Sequence, residues 1–133
     1  MRVRPFLDTN VLFYAAASDD PRWERAEEVL VAGGVVSVQV LNEFASVARR
    51  KLRWEWPRIE ATLDLVEQRC RPVRAITLAT HRTAVALCRD YGLAFYDGLI
   101  VAAALEAGCD RLLTEDLQAG RRFGALAVVN PFA

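Results

Sequence analysis

Short β-type apolar runs alternate along this chain with longer stretches of helical period, the pattern of a parallel sheet carrying helices on its faces. "PFL" reads as the first strand, with pairing that starts at or after Pro5, because proline has no amide hydrogen to give the ladder. "DDPRWERAEEVL" then predicts a helix with Asp20 as N-cap, Pro21 in the first position and Glu24 completing a capping box, stopped at Gly33-Gly34. "VVS" is a short strand running into the helix "VQVLNEFASVARRKL", with Ser37 as its cap. "PRIEATLDLVEQ" is amphipathic, "PVRAI" reads as a strand, and "LATHRTAVALCRDYG" as a helix from Thr77 to a stop at Gly92. "YDGLIVAAALEAG" is apolar on nearly every side, which predicts a buried helix. It leads through Cys109-Asp110 to the strand "RLLT", the polar loop "EDLQAGRRFG" and a last strand, "LAVV". No repeat, low-complexity tract or linker interrupts the pattern, so a single domain over residues 1–133 is expected.

Composition narrows the classes. With 53% hydrophobic and 26% charged residues, the 133-residue chain has the makeup of a globular domain with a sizeable core. Its longest nearly uncharged stretch, "GLIVAAALEAGC", is too short to span a bilayer, and "MRVRPFLDTN" lacks the apolar core of a signal peptide; a cytoplasmic protein is expected. Three scattered cysteines, Cys70, Cys88 and Cys109, fit neither a disulfide framework nor a zinc site and read as buried free thiols. Seventeen basic and seventeen acidic side chains cancel, so any contact with a polyanion must rest on a local patch.

The apolar opening "FLDTNVLFYA" is broken by Asp8, Thr9 and Asn10. A strand ending and a capped helix beginning would account for that, and a functional site would account for it equally well. Ligands of open α/β sheets bind beyond the carboxyl ends of the strands, and other carboxylates fall at that edge. Asp8 follows the first strand directly, and Asp116 follows "RLLT" by two residues. Asp97 starts the apolar helix, where it reads as an N-cap opening on the same crevice. Glu43 lies between Val40 and Val47 on the apolar stripe of its helix, beside Phe44 and away from Asn42, Arg49 and Arg50, where an unpaired carboxylate is costly.

Four convergent carboxylates repel one another unless a divalent cation neutralises them, and an oxygen-only donor set selects Mg²⁺, or Mn²⁺, over zinc. Such an ion converts water into a nucleophile for a phosphodiester without a histidine base, which suits a chain whose only histidine, His81, sits inside a predicted helix. Thr9, Asn10 and Thr114 are placed to orient Asp8 and Asp116 by hydrogen bonds, or to make turns and caps. There is no G-x-S-x-G elbow, P-loop or G-x-G-x-x-G motif.

"FLDTNVLFYA", Glu43 within "SVQVLNEFASV", "FYDGLIVAAAL", and "LLTEDLQAG" followed by "VVNPF" resemble, in order and spacing, the landmarks of the PIN-domain ribonucleases, in particular the VapC toxins of bacterial toxin–antitoxin pairs. The resemblance covers nearly the whole chain. It implies a three-layer α/β/α sandwich around a mainly parallel sheet and Mg²⁺-dependent endonucleolytic cleavage of RNA. It also implies a homodimer, and inhibition by a VapB-type antitoxin. Its acidic set falls on Asp8, Glu43, Asp97 and Asp116, with Glu115 a weaker substitute for the last. Gly98, in place of a small alanine-like residue, and Ala119, in the loop after Asp116, depart from that pattern.

Two basic stretches are candidates for RNA or antitoxin contact: Arg49, Arg50, Lys51 and Arg53 beside Trp54 and Trp56, and the pair Arg121-Arg122. Favourable interaction with a helix C-terminus is the stronger explanation of the first. Two other readings stay open, a Mg²⁺-dependent phosphohydrolase forming an aspartyl-phosphate at Asp8 and a catalytically silent binding module of the same fold. Asn10 stands where the former would want a second carboxylate, and retention of all four acids weakens the latter.

Overall fold

The computed structural model describes residues 3–133. Among these residues six helices and four strands follow in the order β1 (Phe6–Leu7), α1 (Thr9–Ala15), α2 (Trp23–Ala32), α3 (Val38–Arg50), α4 (Trp56–Arg69), α5 (Leu78–Tyr91), α6 (Phe95–Glu106), β2 (Arg111–Leu113), β3 (Arg122–Phe123) and β4 (Leu126–Val129). The sheet runs β1-β2-β4-β3, with β1, β2 and β4 parallel and β3 antiparallel at one edge.

Successive residues of a strand point to opposite faces, yet Phe6, Leu7 and Leu112 are fully buried and Leu113 nearly so. Both faces of the sheet are therefore covered, which makes the architecture the expected α/β/α sandwich. Helices α1 to α4 pack against one another, α5 packs along α6, and α6 meets α3. The apolar helix α6 is buried from Gly98 to Ala104, as its unbroken hydrophobic pattern requires. No helix among the described residues is long and apolar enough to cross a membrane.

Several local expectations change. "VVS" and "PVRAI" do not become strands; they contribute single parallel bridges, Phe6 to Val35 and Ser37 to Arg74, that extend the sheet beyond β1 by one residue each. Helix α2 starts at Trp23 because the Asp20 carboxylate accepts from the Arg22 amide at 2.8 Å and the Asp20 carbonyl from Trp23 at 3.0 Å, closing a turn that contains Pro21 ahead of the helix. Ser37 occupies the N-cap position of α3, but its hydroxyl is buried without a hydrogen-bond partner. The polar loop after "RLLT" hides β3, a two-residue strand that Gly124, at φ 60°, turns back onto β4. Thr77 and Thr80 make the capping box that opens α5, and Gly92 ends it in the left-handed conformation. Cys70 and Cys109 are buried free thiols, while Cys88 is half-buried.

Cys88 also explains Gly98. A Cβ at residue 98 would stand 2.5 Å from the Cys88 sulfur and 3.1 Å from the Ala84 carbonyl oxygen, so the glycine lets α6 lie against α5 immediately after Asp97. Gly98→Ala is expected to lower stability by about 1–3 kcal/mol, the usual range for overpacking, despite alanine's better helix propensity. Adding Cys88→Ala should recover most of that loss, and chemical denaturation of the three variants measures it.

Candidate active site

Asp8 follows β1 and opens α1, as the local reading of its sequence context suggested. It caps α1, its Oδ1 accepting the Thr9 amide at 2.7 Å, and its Oδ2 accepts the Thr114 hydroxyl at 2.8 Å. The parallel register makes that second bond possible: Leu7 pairs with Leu113, so the residues that follow them, Asp8 and Thr114, emerge level at the carboxyl edge. The Asp8 side chain is almost wholly buried, and burial pushes its pKa up to about 6 against the pull of its two hydrogen bonds, with the charges of Asp116 and Glu43 adding to the rise.

Thr114 is the hub. Besides donating to Asp8, its hydroxyl accepts from Asn10 Nδ2 at 3.1 Å and from the Asp116 amide at 3.0 Å. Asn10 Nδ2 also reaches Asp116 Oδ2 at 3.0 Å. Thr9 turns the other way, donating its hydroxyl to Glu43 Oε2 at 2.9 Å, while Gln39, one turn earlier on α3, donates to Glu43 Oε1 at 3.2 Å. Glu43 is thus half-buried and held from two sides by neutral donors. Of the three residues expected to orient Asp8 and Asp116, Asn10 and Thr114 bond to them, whereas the Thr9 hydroxyl is turned to Glu43.

Asp97 is not a cap. The N-cap of α6 is Ala94, and Asp97 lies inside the first turn, three residues further on. Its carboxyl is raised by partial burial first and then by the charges of Glu43 and Asp116, so it belongs to the same acidic group without a hydrogen bond into the network. Among the described residues none of Asp8, Glu43, Asp97 and Asp116 takes part in an ion pair.

Glu115, next to Asp116, is drawn elsewhere. It accepts from the Tyr14 hydroxyl and lies 3.4 Å from Arg22, whose guanidinium covers the Tyr14 ring at 3.8 Å. Burial, then the bond to Glu115, pushes the Tyr14 hydroxyl up to about 12. Tyr14 and Arg22 therefore hold the loop after β2 with Glu115 on one side and leave Asp116 on the other. No spacing rule in the sequence pointed to either residue. Gln39 was within reach, since residues four apart share a helix face.

A cleft of about 620 Å³ opens over the network. Helix α3 lines it with Gln39, Asn42, Glu43, Ser46, Val47 and Arg50, opposite Thr9, Asn10, Phe13, Tyr96 and Asp116. Asn42 and Arg50 are exposed, as their side of the helix predicts, but the solvent they face is that of the cleft. Trp54 packs edge-on to Phe44 and lies beneath Arg58, which makes it part of the α3–α4 packing. Arg49 donates to the Trp54 carbonyl at 3.1 Å, in keeping with a helix-terminal role. Arg121 donates to the Tyr91 carbonyl at 2.6 Å at the end of α5, and neither it nor Arg122 lines the cleft. His81 is exposed on α5, edge-on to Phe95.

Asp8 makes a poor phosphoryl acceptor, with both oxygens engaged and almost no exposure. Asn10 is fixed by its amide and offers no proton to a leaving group, which removes the support for an aspartyl-phosphate mechanism.

The sequence matches the PIN domain family over residues 6–123. The chain belongs to that family. Solved structures similar to this PIN domain include a toxin–antitoxin complex from Klebsiella pneumoniae, at 20% identity and TM-score 0.73, covering 96% of this chain and 98% of that one. A Mycobacterium tuberculosis VapC toxin described as cleaving the sarcin–ricin loop is similar at 18% identity and TM-score 0.69, over 84% of this chain and 90% of that one. DNA-bound VapBC from Salmonella typhimurium is similar at 17% identity and TM-score 0.68, over 96% and 97%. No curated protein sequence matches the chain. At these identities the structural likenesses establish the fold, and the chemistry has to be argued from this PIN domain's own residues.

Proposed function

We propose that this PIN domain is a metal-dependent endoribonuclease and the toxin half of a toxin–antitoxin pair, acting as a homodimer in the cytoplasm. The observation that carries the reading is the gathering of Asp8, Glu43, Asp97 and Asp116 closely enough for their charges to act on one another, with Glu43 and Asp116 lining an open cleft and, among the described residues, no cationic partner for any of the four. Three of the four sit in a network of neutral donors that fixes their orientation without neutralising them. Two of the similar structures are described as a toxin–antitoxin complex and a VapBC complex, and a third as a toxin cleaving the sarcin–ricin loop, which supports RNA as substrate and a VapB-type antitoxin as partner. Leu78 and Val85 on α5 and Phe95 on α6 expose apolar surface that a second copy would cover.

The donor set suits Mg²⁺, with Mn²⁺ as a substitute. It is oxygen only, and the buried Asn10 Oδ1, which has no hydrogen-bond partner, adds a neutral oxygen beside Asp116. Among the described residues no three acidic, histidine or cysteine side chains are placed to hold a metal ion between them. Mg²⁺ does not need three, since it keeps several waters and takes one or two carboxylates together with substrate phosphate oxygens. When bound, the ion supplies a water of lowered pKa and stabilises charge on the phosphodiester. Asp8, Glu43, Asp97 and Asp116 would hold it, one or two of them directly and the others through its waters, while Thr9, Asn10, Gln39 and Thr114 keep the carboxylates aimed and Tyr96 and Arg50 flank the incoming strand.

Cleavage of structured RNA by purified protein tests this reading. Fragments should form in Mg²⁺ or Mn²⁺ and be absent in EDTA. Intact RNA in all conditions, from protein shown to bind Mn²⁺, would retain the metal site and remove the substrate class. Failure to bind Mn²⁺ at all would favour the silent module.

A further inference from the structure

The face of α3 that lines the cleft carries Glu43 and, seven residues and about 10 Å further along the axis, ends at Arg50. Beyond Arg50 the chain turns through residues 51–55 into α4, and this turn is unusual in three respects. First, its cations are unpaired: Arg49, Arg50, Lys51, Arg53 and Arg58 are exposed, and among the described residues none of them meets a carboxylate. Second, Trp56 is half exposed, with Arg49 over its ring at 5.1 Å, while Trp54 is anchored beneath by Phe44 and Arg58. Third, Arg53 has φ 57°, the only positive φ at a non-glycine residue among those described. A glycine would adopt that conformation without steric cost, so an arginine held there presents its guanidinium outward at the expense of backbone ease.

An anchored aromatic, a half-exposed indole and guanidinium groups without carboxylate partners at the mouth of a cleft are the components of a single-strand binding surface. We infer that the α3–α4 turn is an RNA subsite flanking the cut, in which Arg50 and Arg53 contact backbone phosphates and Trp56 stacks on an unpaired base. The inference rests on the ribonuclease reading and extends it to where the strand leaves the cleft. A carboxylate-rich protein tail could use the same cations, but the half-exposed indole beside them favours a nucleobase.

The test is the affinity of a fluorescent single-stranded RNA, measured in Mg²⁺ at several salt concentrations. Every protein carries Asp97→Asn to prevent cutting. Arg53→Gly preserves the backbone, so its melting temperature should not fall, while RNA affinity drops about three- to tenfold and the salt slope of log affinity shrinks by about 0.7, as for one lost phosphate contact. Trp56→Ala should lower affinity at least about fivefold with the slope unchanged, as for one lost stack. If both variants bind RNA like their parent, the subsite is overturned and the ribonuclease reading stands. The same holds if they keep RNA affinity and lose only a co-expressed antitoxin, because the turn is then a protein contact. If the parent binds no RNA and the wild type cuts none, the ribonuclease reading itself has failed.

Discussion

Asp97→Asn is expected to abolish detectable RNA cleavage, lowering the rate by about 10²–10³-fold or more, the range for removing one charged participant from a preorganised site. The same substitution should leave the unfolding midpoint of the metal-free protein unchanged or higher. The two expectations share one cause. Asp97 caps no helix and belongs to no hydrogen-bond network, and what it feels in the folded protein is partial burial and the negative charges of Glu43 and Asp116. Without a cation, a neutral asparagine is the easier residue to keep there. Loss of activity with gain of stability marks a residue retained for chemistry. Cleavage within about tenfold of wild type would remove Asp97 from the proposed metal set, and a large fall in stability would assign it to the architecture.

Metal-free protein should lose stability as pH rises from about 4 to about 6, through Asp8. Burial lifts its carboxyl from 3.8 to about 6, so across that window the folded chain keeps a proton that the unfolded chain has released. The contribution is fully present below the unfolded pKa and is lost as pH passes the folded one. At 1.36 kcal/mol per pKa unit, the loss is roughly 3 kcal/mol. Asp8→Asn removes the titration, so urea unfolding in EDTA should show the variant gaining about that much on wild type between pH 4 and pH 7. Mg²⁺ at pH 7 should then stabilise wild type more than the variant, because it binds the folded carboxylate. Parallel pH profiles for the two proteins would show that Asp8 does not ionise under the strain its burial implies.

Asp8 also shows how much was legible in the sequence. A carboxylate directly after an apolar strand has a fixed address at the sheet edge once the strand is parallel, because strand direction and register leave it no other place. The same reasoning located Asp116, and the helical period set Glu43 apart from its wet neighbours. It could not locate Asp97 within its helix. An acidic residue near a helix start looks alike whether it caps or lies one turn inside, and the difference depends on where Ala94 takes up its extended conformation. The short edge pieces were overstated for a related reason. Whether "VVS" or "PVRAI" forms a strand or a single bridge depends on how long a neighbour stays alongside, which their own residues do not encode.

By itself the sequence determined the class of fold, the buried helix α6, and the acidic character of the candidate site, because hydrophobic period and residue chemistry are local properties. Only the tertiary structure decided which groups meet. Thr114 became the hub because Leu7 pairs with Leu113, and Glu115 was withdrawn because Tyr14 and Arg22 reach it from residues 101 and 93 positions away. Gly98 fits because a cysteine on the facing helix fills the space of its missing methyl. Contacts between residues so far apart arise from register and packing, and those are properties of the closed chain that no local run of residues carries.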